Sequence, residues 1–194
     1  MKVIGITGSI ASGKSTVAQL IAKKKYPLFN ADNVVSNLYN NDKFINFLIK
    51  KFDLRKTMNI KEQIKLIVKK NRNKLKVLET IIHPHVRNEM NIFLKKKQKI
   101  LILEIPLLIE SKLTKYFDKI ILVDAKKNIR LGRYLKKHND KKTFEILNQR
   151  QLPSIFKKKI CNLTIINNSS ILDLKKKKLK FIKNYEWNIF RHRN

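Results

Sequence analysis

The stretch Val3-Ile4-Gly5-Ile6-Thr7-Gly8-Ser9-Ile10-Ala11-Ser12-Gly13-Lys14-Ser15-Thr16-Val17-Ala18-Gln19-Leu20-Ile21-Ala22 decides the fold. Gly8 to Ser15 has the spacing glycine, four residues, glycine, lysine, serine, which is that of a phosphate-binding loop. Its setting says more than the pattern does. Val3, Ile4 and Ile6 predict a short apolar strand before it, and Thr16 to Ala22 a helix after it. A helix N-terminus presents N–H groups without intrahelical acceptors and a partial positive charge, and glycines let the backbone close around a phosphate. Gly8, Ser9, Ile10, Ala11, Ser12, Gly13, Lys14, Ser15 and Thr16 are therefore the candidate cradle for a nucleoside triphosphate. Lys14 can reach the β- and γ-phosphates, and the Ser15 hydroxyl can ligate Mg2+. A helix cap with a chance lysine is the bland alternative. It is disfavoured because the whole chain holds four glycines and three of them, Gly5, Gly8 and Gly13, fall here.

Length allows one sizeable core with a small insertion in 194 residues. With 45 Lys and Arg against 14 Asp and Glu, the formal charge is +31. Alone, that would suggest nucleic acid or an anionic membrane. The lysine runs, from Lys23–Lys25 through Lys157–Lys159 to Lys175–Lys178, are instead dispersed along predicted helices and read as solvated faces. No aromatic or arginine cluster is interleaved with them, so no specific nucleic-acid partner is expected. The one cysteine, Cys161, fits a reducing compartment, and no apolar run is long enough to span a bilayer. A soluble cytoplasmic protein with no membrane partner is the expectation.

Downstream, Tyr26 to Asn30 predicts a second strand ending at Asn30-Ala31-Asp32. Parallel strands deliver their carboxyl ends to the ligand crevice, so Asp32 is a candidate for chemistry, with helix capping as an equal alternative. From Asp42 to Gln98 the apolar spacing is helical throughout, and a helical insertion able to close over a substrate is predicted. Pro84 is expected in the first turn of a helix running to about Lys97. On that helix His83 and Arg87 would share a face, being four residues apart. His83 and His85 lack further nearby ligands for zinc.

Ile100 to Ile105 reads as a strand buried on both faces, broken by Glu104, which can hold a magnesium-bound water or join a structural ion pair. Lys119 to Asp124 and Leu163 to Asn167 predict two more strands, and Ile171 to Tyr185 a closing helix. The helices between carry Arg130 and Arg133, suited to a basic lid that meets a nucleotide on closing, or to a solvated basic face. The expected architecture is α/β: a P-loop NTPase with a five-stranded parallel sheet flanked by helices, adenylate-kinase-like, with a helical insertion and a lid. Its parts within 1–194 are a core of 1–32, 99–132 and 161–185, an insertion of 33–98 and a lid of 133–160. A GTPase is disfavoured by the absence of an Asn-Lys-x-Asp motif.

Taken in order, Gly5 to Ser15, Asn30-Ala31-Asp32, Leu78-Glu79 with His83-Pro84, Pro106-Leu107-Leu108-Ile109-Glu110, Val123-Asp124, and Gln151 with Asn167-Asn168 resemble the dephospho-CoA kinase family. The resemblance implies transfer of the γ-phosphoryl of ATP to the 3′-hydroxyl of the dephospho-CoA ribose, with ATP and dephospho-CoA as partners and Mg2+ as cofactor. It implies Asp32 as base, Lys14 and Arg133 as further catalytic groups, and His83, Arg87 and Glu104 with Asp32 on the substrate side. Three departures stand out: Asn30 replaces an acid, Lys61 falls where an arginine is common, and Ser9 and Ala11 replace loop glycines. Another small-metabolite kinase of the shikimate kinase kind, or a basic nucleic-acid-binding ATPase, are the competing readings.

Overall fold

The computed structural model describes residues 1–23, 25–169 and Leu174. The closing helix expected over 171–185 lies outside the described residues, apart from Leu174. The chain divides into two compact units, Met1–Phe29 with the chain from Gln98 onward, and Asn30–Lys97.

In the first unit, β1 (Lys2–Gly8), β3 (Ile100–Glu104), β4 (Lys119–Asp124) and β5 (Leu163–Ile166) join β2 (Leu28–Asn30) in a five-stranded parallel sheet of order β2-β3-β1-β4-β5. The register pairs Ile4 with Ile102 on one side of β1 and Ile6 with Ile121 on the other, and sets Asp124 opposite Ile166. Two neighbours on β1 explain its apolar run, since a central parallel strand is covered on both faces. Alternate residues Ile4 and Ile6 pack with Ile100, Ile102, Ile121 and Val123 against Val17, Ala18 and Ile21 of α1 (Lys14–Ala22). Each such side chain taken fully from water contributes about 1.5–3 kcal/mol. Because the strands are parallel, the segments following β1, β3, β4 and β5 all leave from one edge of the sheet. After β4 come α6 (Lys127–His138), α7 (Lys141–Gln149) and α8 (Ser154–Ile160).

The second unit holds α2 (Ala31–Leu38), α3 (Asp42–Phe52), α4 (Ile60–Lys70) and α5 (Arg72–Leu94). Phe44, Leu48, Phe52, Leu54, Ile64 and Leu78 form its core. All four helices start on an asparagine whose side chain accepts a first-turn N–H: Asn30, Asn41, Asn59 and Asn71. Each such cap is worth about 0.5–2 kcal/mol against alanine, so part of the asparagine content of the sequence is spent on helix starts.

One expectation fails here. Pro84 does not open a helix; it lies inside α5, which runs unbroken from Arg72 to Leu94. Its missing N–H forfeits the ladder bond to the Thr80 carbonyl. The buried residues on either side, Leu78 before and Met90 and Phe93 after, keep one helical apolar face going. Packing along that face outweighs one lost hydrogen bond. Lys157 is a second correction: read with its neighbours as part of a solvated run, it is fully buried. No helix among the described residues is long and apolar enough to cross a membrane.

Candidate active site

The loop between β1 and α1 is wound by three residues of positive φ: Gly8 at 155°, Ala11 at 56° and Gly13 at 90°. Gly8 is obligatory on steric grounds, because a Cβ there would collide with the Val123 carbonyl oxygen. Gly13 is closed in a similar way by the Asn167 side-chain amide. Ala11 has no such excuse, and a left-handed alanine costs about 1–2 kcal/mol. Gly8→Ala is expected to destabilise the fold by about 1–3 kcal/mol and to weaken ADP binding, both measurable by denaturant titration and calorimetry.

Gly13 caps α1 without any side-chain hydrogen bond, and no acidic residue lies in the first turn. The N–H groups of Ser15 and Thr16 therefore keep the orientation and partial charge that suit an anion. Lys14, only 8% exposed, folds back so that its Nζ donates to the Ser9 carbonyl at 3.2 Å, and Ser12 N–H donates to the same carbonyl at 3.1 Å. The Ser15 hydroxyl donates to Glu104 Oε1 at 2.6 Å, and Glu104 is 1% exposed at the carboxyl end of β3. A hydroxyl and a buried carboxylate so close together make a hard-oxygen donor set, the chemistry that suits magnesium.

Residues remote in sequence tie the loop down. Asn167, just after β5, donates from Nδ2 to the Ser12 carbonyl at 2.8 Å. Gln151 Oε1 accepts the Ile10 N–H at 2.7 Å, and Arg130 Nη1 donates to the Ile10 carbonyl at 3.3 Å. Arg130 also donates from Nε to the Ala125 carbonyl at 3.0 Å and from Nη1 to Asn148 Oδ1 at 2.8 Å. Burial pushes its pKa down, with Asp124 and Glu145 pulling it back up. Arg133 instead holds the segment after β5, donating to the carbonyls of Asn167 and Ser169 at 3.0 and 3.3 Å. The first unit thus gathers Gly8 to Thr16, Glu104 and Arg133.

Asp32, His83 and Arg87 belong to the second unit. Asp32 sits in the first turn of α2, exposed, while Asn30 accepts the Asn33 N–H at 2.9 Å and performs the capping. The capping alternative for Asp32 is thereby removed, and an amide at position 30 caps as well as an acid would. His83, half-buried, and Arg87, exposed, lie one helical turn apart on α5, which packs against α2. His85 is engaged by Phe44, edge to face at 5.5 Å between ring centroids. Lys61 Nζ lies 5.1 Å from the Tyr39 ring centroid and donates to the Ser36 hydroxyl at 3.5 Å.

Sequence reasoning passed over Asn167 as a loop ligand and gave Arg130 and Gln151 no anchoring role. Asn167 could have been flagged by the rule that singled out Asp32, since it too follows the carboxyl end of a parallel strand. Nothing local marks Arg130 or Gln151; their contacts exist only once the chain is folded.

Comparison with known proteins places these features in a family context. The family profile described as Dephospho-CoA kinase matches residues 2–173. A protein named dephospho-CoA kinase from Fusobacterium nucleatum is 35% identical over 185 residues, 92% of this chain and 96% of that one. The solved dephospho-CoA kinase from Campylobacter jejuni is 25% identical, covers 95% of this chain and 98% of its own, and superposes with a TM-score of 0.66. A shikimate kinase from Acinetobacter baumannii, at 15% identity and a TM-score of 0.55 over 95% and 94% of the two chains, shares the fold alone.

Proposed function

Given that the chain belongs to the dephospho-CoA kinase family and phosphorylates the 3′-hydroxyl of the dephospho-CoA ribose with ATP, we propose the following division of labour among its residues. The loop N–H groups and Lys14 bind the β- and γ-phosphates of ATP, and Arg133 covers the nucleotide. Asp32 accepts the proton of the 3′-hydroxyl as that oxygen bonds to the γ-phosphorus and the bond to the ADP oxygen breaks. His83 and Arg87 bind the acceptor. Ser15 and Glu104 would hold Mg2+, directly and through water, and the ion would supply neutralisation of phosphate charge.

The observation that carries this reading is the loop itself: a buried lysine folded over a glycine-wound turn, with the Ser15 hydroxyl on a buried carboxylate. A cytoplasmic location belongs to the same proposal and is supported by the one unpaired cysteine, Cys161. Its thiol is pushed up to about 11 by burial, helped by Glu110 and opposed by Lys157. The proposed transfer uses no thiolate, and Cys161 is given no part in it.

One assay tests the function. The protein is incubated with Mg-ATP and, in turn, dephospho-CoA, shikimate and single-stranded nucleic acid, while ADP and coenzyme A are measured. ADP and coenzyme A in equal amounts with dephospho-CoA are expected. Turnover only with shikimate or only with nucleic acid would sink the reading.

A further inference from the structure

Ile10, at the tip of the phosphate loop, is gripped on both sides: Gln151 accepts its N–H and Arg130 donates to its carbonyl. The next residue is Ala11, with φ at 56°, a conformation that glycine takes freely and an L side chain resists. Both grips are anchored independently of the loop. Arg130, 7% exposed, is held by the Ala125 carbonyl, by Asn148 and by the Phe144 ring, whose centroid lies 5.8 Å from its Cζ. Gln151 precedes Leu152, whose N–H donates to Glu110 Oε1 at 2.9 Å; Glu110 in turn pairs with the fully buried Lys157 at 2.7 Å.

We propose that Gln151 and Arg130 are positioning residues for phosphoryl transfer: together they clamp Ile10 and thereby hold Ala11 in the left-handed conformation that a glycine would adopt unaided. The proposal rests on the reading of the loop as the ATP site. Its physical content is a population. If only a fraction of molecules has a correctly wound loop, the apparent dissociation constant for nucleotide rises by the reciprocal of that fraction. The clamp keeps the fraction near one. Neither side chain needs to touch nucleotide, and Arg130, committed to three acceptors, acts on the loop backbone while Arg133 remains the candidate cation for the nucleotide. With the Ile10 N–H given to Gln151, the phosphate contacts fall to the other N–H groups of the loop and the first turn of α1.

The experiment is a cycle of four proteins: the natural chain, Gln151→Leu, Ala11→Gly and the double variant. ADP affinity is measured by calorimetry, KM and kcat by coupled assay, and folding by thermal melts. Gln151→Leu should raise the dissociation constant for ADP and the KM for ATP about five- to tenfold, the loss of one well-made hydrogen bond, with a larger effect on KM than on kcat. Adding Ala11→Gly should recover about threefold of that loss, and should do far less in the natural background. Native ADP affinity in a folded Gln151→Leu protein overturns the clamp, as does an equal effect of Ala11→Gly in both backgrounds.

Arg130→Lys keeps the charge and most of the stem but gathers its donors on one nitrogen, so it cannot span the acceptors that Arg130 meets from Nε and Nη1. It should weaken ADP in the same direction, and decides the matter if Gln151→Leu does not fold. A natural chain that binds ADP but leaves dephospho-CoA unphosphorylated overturns the functional reading alone, since the clamp is judged on ADP affinity.

Discussion

Asp32→Asn is expected to lower kcat by about 10²–10⁴-fold, roughly 3–5 kcal/mol of barrier, the usual worth of a positioned general base. The KM for ATP should scarcely move, because the phosphate loop and its anchors lie in the other unit of the chain. Folding stability should also hold. Asn30 already caps α2, and Asp32 gives up only its favourable place near the helix N-terminus, about 0.3–1 kcal/mol at an exposed site. That separation makes the variant a clean probe. Steady-state kinetics with varied ATP and dephospho-CoA, beside a thermal melt, distinguish loss of chemistry from loss of fold. A kcat within a few-fold of the natural chain would take Asp32 out of the reaction.

Lys14→Ala should damage binding and turnover together, by about 10²–10³ in kcat, as for removal of one charge-stabilising donor, along with a clear rise in the KM for ATP. Lys14 is nearly buried and its Nζ lies on the Ser9 carbonyl, so truncation removes a structural contact as well as a charge. Lys14→Met, which keeps the stem, separates the two: its melt should resemble that of the natural chain while its kinetics follow Lys14→Ala. Full activity without this lysine would defeat the phosphate-loop assignment itself.

How much of this was legible beforehand follows from how local each signal is. The phosphate loop, its strand and its helix lie within about twenty neighbouring residues, and the glycine spacing carried them. The apolar runs at Ile100 to Ile105 and Lys119 to Asp124 likewise announced buried parallel strands. Chemistry that depends on partners far along the chain was not legible. Lys157 looks like Lys158 and Lys159 in the sequence, yet it alone is fully buried, against a glutamate forty-seven positions away. Arg130 looked like a lid cation; only the arrival of Ile10, Asn148 and Phe144 around it makes it an anchor. Pro84 misled for the opposite reason: a strong local rule about proline was overridden by the apolar face continuing through it. Asp32 needed its neighbour. With Asn30 seen to cap the helix, the capping half of that even choice falls away.

The central place of β1 in the sheet has a bearing on synthesis. β1 is the first strand to be made, but its partners β3 and β4 are encoded some hundred residues later. The loop it carries is pinned by Gln151 and Asn167, which follow at separations of 141 and 155 residues. At about 5–20 residues per second on the ribosome, Ile10 waits roughly 7–30 s for those two side chains to exist. The helical unit between, whose core contacts lie within Asn30–Lys97, has all its own partners long before then. Translation thus delivers the helical unit Asn30–Lys97 as a finished local assembly and leaves the pinning of the loop between β1 and α1 to the final stretch of the described chain.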